Sequence, residues 1–201
     1  MATKEEVSKI IEERASAESA SLVKLDLTDF IAYHLEPKDL LDVLNFLKSS
    51  ADLRFTILTD LFAADFPSRA KRFEVSYSLL SLKLNLRVLV KVSVDTEELI
   101  PSISNIFSAG CWYEREVFDM FGVRFSDCPD MRRILTDYGF VGHPLRKDFP
   151  LTGYLEVKYD EFLEKVVYKP VQLAQEFRNF DFLSPWKGPN YMLPGDEKAT
   201  K

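Results

Sequence analysis

Cysteine and histidine are scarce in this chain of 201 residues. The two cysteines are Cys111 and Cys128, and the two histidines are His34 and His143. An iron–sulfur cluster or a structural zinc site usually takes four protein ligands, and these four side chains lack the paired spacing of metal ligands. Two cysteines are also too few for the disulfide framework of a secreted domain. We therefore expect no metal centre, and free thiols in a reducing compartment.

Nucleotide-binding motifs and long apolar runs are missing as well. The chain contains neither a G-x-G-x-x-G fingerprint nor a Walker phosphate loop. It follows that we expect no bound NAD, FMN or ATP, and no cofactor of any kind. No apolar run approaches the roughly 20 residues that cross a bilayer, so no direct membrane span is expected. The acidic stretch 1–14 matches neither a signal peptide nor a transit peptide, which predicts either no import or an absent presequence.

Positive charge is in deficit. The formal net charge is −6 and the pI is near 5.1, and no long basic stripe occurs. These features exclude nucleic acid as an expected partner. Hydrophobic residues make up 46% of the chain and charged residues 29%, which is typical of a globular protein with a real core.

Periodic apolar residues define a central region, 21–124. Apolar and polar residues alternate over 73–79 and again over 82–94, which predicts two strands joined by a hairpin turn near 81–85. A buried strand is expected over 53–62, and two short strands over 21–36.

Helices are predicted at four places. The polar stretch 1–14 is typical of a short helix or a frayed end. Pro37 suits the first position of a helix whose apolar residues recur every three or four positions. Another helix is expected from Asp95 or Thr96 to Phe107, and a further one from Cys111 to Phe121, stopped by Gly122.

Composition changes beyond Gly122. Seven of the ten prolines and five of the seven glycines lie there, so long regular elements are not expected. Half of the 26 aromatic residues nevertheless lie in 125–201, whereas a flexible linker is poor in aromatics. The sequence therefore predicts three parts: an N-terminal polar segment (1–20), a core domain (21–124) and an extended arm (125–201) that buries its aromatics against a partner.

Charged residues concentrate around the helix of 111–121. Arg115 and Asp119 lie four positions apart and are expected to pair on one helix face. Acid–base catalysis by the neighbouring carboxylates and a plain solvated surface are the alternatives. Because several arginines follow closely, we favour an ion-pair network that docks a partner.

The segment 142–150 places His143 beside Arg146 and Lys147, between two prolines. General-base catalysis or phosphate binding is one interpretation, but no nucleophile elbow or phosphate cradle accompanies it. We favour an extended loop that presents Arg146 to a carboxylate of a partner.

Several runs together resemble one known family, the thirty-kilodalton subunit of respiratory complex I. The resemblance covers about 30–190, is strongest over 112–154, and is carried by the runs 72–75, 114–123, 129–140, 142–151, 153–154, 175–178, 180–182 and 184–186. One departure is Cys128, which stands where the family pattern has His or Lys.

The resemblance implies an α+β fold with helices packed on a mixed β-sheet, followed by a long extended C-terminal arm. It implies a non-redox structural subunit of the peripheral arm, without catalytic residues of its own, in an enzyme that transfers electrons from NADH to ubiquinone and translocates protons. Its expected partners are the forty-nine-kilodalton quinone-site subunit and other peripheral-arm subunits. Ten signature residues are expected at the interface: Glu114, Arg115, Glu116, Asp119, Arg132, Arg133, His143, Arg146, Lys147 and Asp148.

Alternatives remain at this point. The chain is expected at the matrix side of the mitochondrial inner membrane, or at the cytoplasmic face of a bacterial plasma membrane. An equivalent scaffold subunit of a chloroplast quinone-reducing complex or a membrane-bound hydrogenase is the second functional hypothesis. A stand-alone enzyme is a distant third.

Overall fold

The computed structural model describes residues 4–17, 20–25 and 31–175, and the chain divides into two compact units, 1–153 and 154–201. A mixed sheet of five strands organises the first unit, in the spatial order β1-β2-β5-β4-β3. Its strands are β1 (Val23–Leu25), β2 (Ile31–Leu35), β3 (Ile57–Asp65), β4 (Phe73–Ser81) and β5 (Leu86–Val94). β2 and β5 pair in parallel and all other neighbours are antiparallel.

The β4–β5 hairpin forms where the alternating pattern predicts it. Val75, Tyr77 and Leu79 are fully buried on one face of β4, opposite the buried valines of β5. Asn85 closes the turn with φ +53°. Asn tolerates the left-handed region, which explains a tight turn without glycine.

Helices cover the apolar face of the sheet. They are α1 (Lys4–Ala17), α2 (Leu40–Ser49), which follows a 3₁₀ turn (Pro37–Asp39), and α3 (Gly110–Phe121). The Ser8 hydroxyl lies 2.8 Å from the Tyr33 hydroxyl, which joins α1 to β2 inside the core. The α+β class and the mixed sheet are thereby confirmed.

The helix expected from Asp95 or Thr96 to Phe107 is wrong. Leu99–Pro101 forms a short strand, β6, parallel to β7 (Arg124–Ser126). Pro101 has no N–H and would break a helix at its interior, whereas it is tolerated at the end of a short strand. Ile100 is fully buried in this arrangement.

The second unit contains an antiparallel hairpin of β8 (Leu155–Asp160) and β9 (Lys165–Pro170). The arm was expected to lack regular elements, yet 155–160 alternates apolar and charged residues and forms a strand. The expected boundary at 124/125 falls inside the first unit, since 125–153 belongs to it. The remainder of the arm from 176 onward, with the family-like runs beyond it, lies outside the described residues.

Candidate functional site

The segment 129–150 lies on the C-terminal half of α3, and the contacts between them bring most of the signature residues together. Gly122 ends α3 with φ +78°, a left-handed conformation that favours glycine. A Cβ atom here would also overlap the side chains of His143 and Arg146. Glycine is therefore required both for the turn and for the close approach of this segment.

Asp119 is the anchor of the docked segment. Its buried carboxylate accepts hydrogen bonds from the Arg133 guanidinium (3.1 Å) and the Thr136 hydroxyl (2.7 Å). Its other oxygen accepts the backbone N–H groups of three successive residues, 134–136, at 3.1, 2.7 and 2.9 Å. Five donors thus converge on one carboxylate, which fixes the turn at 133–136 against α3.

Glu114 is fully buried one turn earlier in α3. Its carboxylate accepts the Ser102 hydroxyl at 2.8 Å and the backbone N–H of Ile103 at 2.7 Å. The side chain thus ties α3 to the turn that follows β6. Buried carboxylates are tolerated only when hydrogen-bonded in this way.

Arg115 and Asp119 do not form the expected pair. Arg115 instead donates to the Arg132 carbonyl at 2.7 Å and pairs with the Asp130 carboxylate at 3.4 Å. The oxygens of Asp119 already accept hydrogen bonds from the 133–136 turn. Arg115 and Asp119 therefore each have a partner in the segment 129–150, and they do not pair with each other. Arg132 itself is exposed and pairs with Asp130 at 2.8 Å.

His143 and Arg146 cap the C-terminus of α3. His143 Nδ1 donates to the Asp119 carbonyl at 3.0 Å, and Arg146 Nε donates to the Phe121 carbonyl. The last carbonyls of a helix lack intrahelical partners, and basic side chains satisfy them well. Burial lowers the pKa of His143. Through these contacts both side chains hold the segment 142–150 against the end of α3.

Asp65, at the end of β3, was not among the predicted residues. Arg72 binds its carboxylate through Nε (2.6 Å) and Nη2 (2.7 Å), and the backbone N–H of Lys147 donates at 2.7 Å. Arg72 also reaches the exposed Asp148 carboxylate at 3.1 Å. The sequence pattern gives no signal for it, because the strand predicted over 53–62 ends before Asp65, whereas the observed strand includes it.

Glu116 differs from the other signature residues of α3. It is exposed and forms no ion pair with any other described residue. Trp112, four positions earlier, is 64% exposed and lies with its ring 5.0 Å from the Arg115 guanidinium. Trp112 and Glu116 form the exposed face of α3, which offers an aromatic and a carboxylate to a partner.

The family model and the curated relatives point to one family. The model of the respiratory-chain NADH dehydrogenase 30 kDa subunit matches residues 33–155. The C subunit of the NADH-quinone oxidoreductase of Rickettsia felis is 60% identical over 192 residues, covering 96% of this chain and 93% of that protein. The same subunit of the Chelativorans sp. enzyme is 58% identical and covers 86% of each chain.

This chain belongs to the respiratory-chain NADH dehydrogenase 30 kDa subunit family. A solved trypsin-resistant fragment of Nqo5 is 26% identical, covers 61% of this chain and 97% of that fragment, and has a TM-score of 0.52. A chain of the archaeal membrane-bound sulfane sulfur reductase is 29% identical, covers 73% of this chain and 85% of that one, and has a TM-score of 0.61.

Within the described part of this family member, no three His, Cys, Asp or Glu side chains gather into a group that could hold a metal ion. No helix of the described residues is both long and apolar enough to cross a membrane.

The two buried aspartates predict acid sensitivity of the fold. Hydrogen bonds from Arg72 lower the pKa of Asp65. Burial raises the pKa of Asp119, but the hydrogen bonds that its carboxylate accepts from 134–136 outweigh burial, so the pKa is lowered overall. A carboxylate with a lowered folded-state pKa stabilises the fold fully above its unfolded pKa of about 3.9 and loses that contribution as pH falls through the folded value.

We therefore expect the free energy of unfolding to decline below about pH 5, measured by urea denaturation at a series of pH values. The variant Asp65→Asn is expected to be less stable at pH 7 and to show a shallower acid decline. Acid curves of variant and wild type that run parallel would contradict the assignment.

Proposed function

We propose that the chain is a non-redox structural and assembly subunit in the peripheral arm of a respiratory NADH-quinone oxidoreductase, complex I. Family membership supports the assembly, since the relatives bear that name. Most of the charged signature residues bind other parts of the same chain, which supports a structural role. Asp119, Glu114 and His143 are all engaged in joining segments of the fold, which supports a chain that contributes no catalytic group of its own.

The apolar face of the β8–β9 hairpin is the observation that carries the proposal. Leu155, Val157 and Tyr159 of β8 share one face with Val166 and Tyr168 of β9, and each of the five is more than half exposed. A lone two-stranded hairpin is marginally stable in water, and an exposed apolar patch of this kind marks a binding surface.

The opposite face of the hairpin is charged. Lys158 pairs with Glu156 at 2.6 Å, and Lys169 pairs with Asp160 at 3.0 Å. The hairpin is thus an amphipathic ribbon with a charged side and an exposed apolar side for a partner. We propose that this partner is the forty-nine-kilodalton quinone-site subunit, and that the arm of 125–201 wraps it from this ribbon onward.

A bacterial location fits the relatives better than a mitochondrial one. The relatives named above, from Rickettsia felis and Chelativorans sp., are both bacterial. We therefore propose a peripheral position at the cytoplasmic face of a bacterial plasma membrane, with the mitochondrial matrix side as the alternative.

The second candidate function is that of an equivalent subunit in a related respiratory membrane complex. Likeness to a chain of an archaeal sulfane sulfur reductase suggests that this fold also serves other respiratory membrane complexes. Identity of 60% to a protein of an NADH-quinone oxidoreductase favours the NADH-linked complex. Activity separates the two: NADH oxidation by a flavin-containing assembly supports the first, and ferredoxin- or nickel-dependent activity supports the second.

The proposal is tested by charge reversal at the exposed face of α3. Glu116→Lys is expected to leave the thermal unfolding of the purified chain unchanged, because Glu116 makes no described ion pair. It is expected to reduce incorporation into the complex several-fold, measured by native gel electrophoresis of membranes. An assembled complex at wild-type level with only its turnover lost would contradict the structural role.

Arg146→Glu is the informative companion. Arg146 caps α3 and lies with its guanidinium 5.2 Å from the Phe73 ring, so its reversal is expected to lower both the stability of the chain and its incorporation. The pair of variants separates a docking defect from a folding defect.

A further inference from the structure

The two cysteines of the chain, 17 positions apart in sequence, meet at one point of the fold. Cys111 lies in the first turn of α3, and Cys128 follows the end of β7. Their sulfur atoms are 3.6 Å apart, and both side chains are half-buried. Both thiols also lie against the carbonyl of Asp130, with Sγ–O distances of 3.6 and 3.3 Å.

We propose that Cys111 and Cys128 form a reversible oxidation site, at which a hydroperoxide converts the two thiols into one intramolecular disulfide. Disulfide sulfurs are about 2.05 Å apart, so the observed separation requires only a modest rotation of the two side chains. The rest of the fold supplies no competing thiol, since the sequence has no other cysteine.

The chemistry balances with hydrogen peroxide as the oxidant. One sulfur attacks a peroxide oxygen, the O–O bond breaks, and a sulfenic acid and one water form. The second sulfur then attacks the sulfenic sulfur, the S–S bond forms and a second water leaves. Two electrons pass from the two sulfurs to the peroxide, and a dithiol reductant reverses the reaction.

Burial affects the reactivity of the Cys128 thiol. Burial raises the pKa of Cys128 to about 12; a backbone hydrogen bond with Asp130 opposes this shift, and the neighbouring Cys111 thiol and Glu114 carboxylate add to it. Because the thiolate is the attacking form, this shift slows attack by the Cys128 sulfur on peroxide.

The disulfide would tie the first turn of α3 to the segment that carries Asp130. Asp130 is the carboxylate partner of both Arg115 and Arg132, so the cross-link lies directly beside the signature residues. Closing a loop between 111 and 128 restricts the unfolded chain, and we expect the melting temperature to rise by about 5 °C.

Peptide mapping of the full chain tests the site. The chain is treated with hydrogen peroxide, free thiols are blocked with an alkylating agent, and the protein is digested with trypsin without reductant. The expected product joins the peptide of 92–115 to that of 125–132, and dithiothreitol separates the two. Thiols that stay free, or that oxidise separately without this linked peptide, would overturn the proposal, as would a linkage found only between two chains.

Two serine variants complete the test. Each variant, Cys128→Ser or Cys111→Ser, is expected to stop at a sulfenic acid on the remaining cysteine, which dimedone traps. Neither variant should show the peroxide-dependent rise in melting temperature. A rise that persists in either variant would overturn the disulfide as its cause.

Discussion

Replacing Asp119 by alanine is expected to lower the free energy of unfolding by about 3–5 kcal/mol. The side chain is fully buried, and its carboxylate accepts five hydrogen bonds from the 133–136 turn. Removing it leaves Arg133 without its counter-charge and three backbone N–H groups without acceptors, which is costlier than losing a solvated ion pair.

Urea denaturation of the purified chain measures this loss. The midpoint should fall, and a lower slope would show that the 133–136 turn is already released in the native state. Glu116→Ala is the matched control, since it deletes a carboxylate from the exposed face of the same helix and should change stability by less than about 0.5 kcal/mol. An Asp119→Ala variant within about 1 kcal/mol of wild type would show that Asp119 is not the anchor.

Truncation of the chain after Gly153 is expected to reduce its incorporation into the complex strongly while leaving the first unit folded. All contacts of Asp65, Glu114 and Asp119 described above lie within 1–153, so the loss of 154–201 removes none of them. The apolar face of the hairpin is lost together with the remainder of 154–201. We expect at least a tenfold drop in assembled complex, because central apolar contacts dominate interface energies.

Single substitutions locate the effect on the hairpin. Val157→Glu places a carboxylate on the apolar face, whereas Lys158→Glu places one at the adjacent position on the charged face. The first is expected to reduce assembly about tenfold or more and the second less than twofold, by quantitative native gels. Equal effects of the two variants would contradict an apolar docking face.

The sequence predicts best where local pattern and tertiary packing agree. The β4–β5 hairpin follows from alternation alone, because one face is buried and the other solvated. The end of α3 follows from Gly122, whose left-handed conformation other residues adopt at a cost. In both places the residues that suit the local backbone conformation also fit the packing around them.

Sequence-based prediction of side-chain pairs is wrong where the partners come from residues distant in the chain. The pairing of Arg115 with Asp119 is a sound expectation for an isolated helix, but the donors that occupy Asp119 come from 133–136, brought in by the fold. The role of Asp65 depends on Arg72 and on the backbone of Lys147, 82 positions later. Such carboxylate sites are invisible to local periodicity.

The misplaced helix of 95–107 has a different cause. Acidic residues near a capping residue are typical of a helix start, yet Ile100 and Pro101 pair with Phe125 and Ser126 of β7. A parallel partner from 25 residues downstream outweighs the local preference. The assembly role of Glu116, the wrapping arm and the interface use of the signature residues stay predictions, because each needs the partner to test it.

Affinity purification of the tagged full chain from native membranes tests the central claim most directly. We predict that it co-purifies in a fixed ratio with flavin- and iron–sulfur-containing subunits that oxidise NADH and reduce a quinone, and that the chain separated from them has neither cofactor nor activity. Recovery of the chain alone, or turnover of NADH by the isolated chain, would contradict the account.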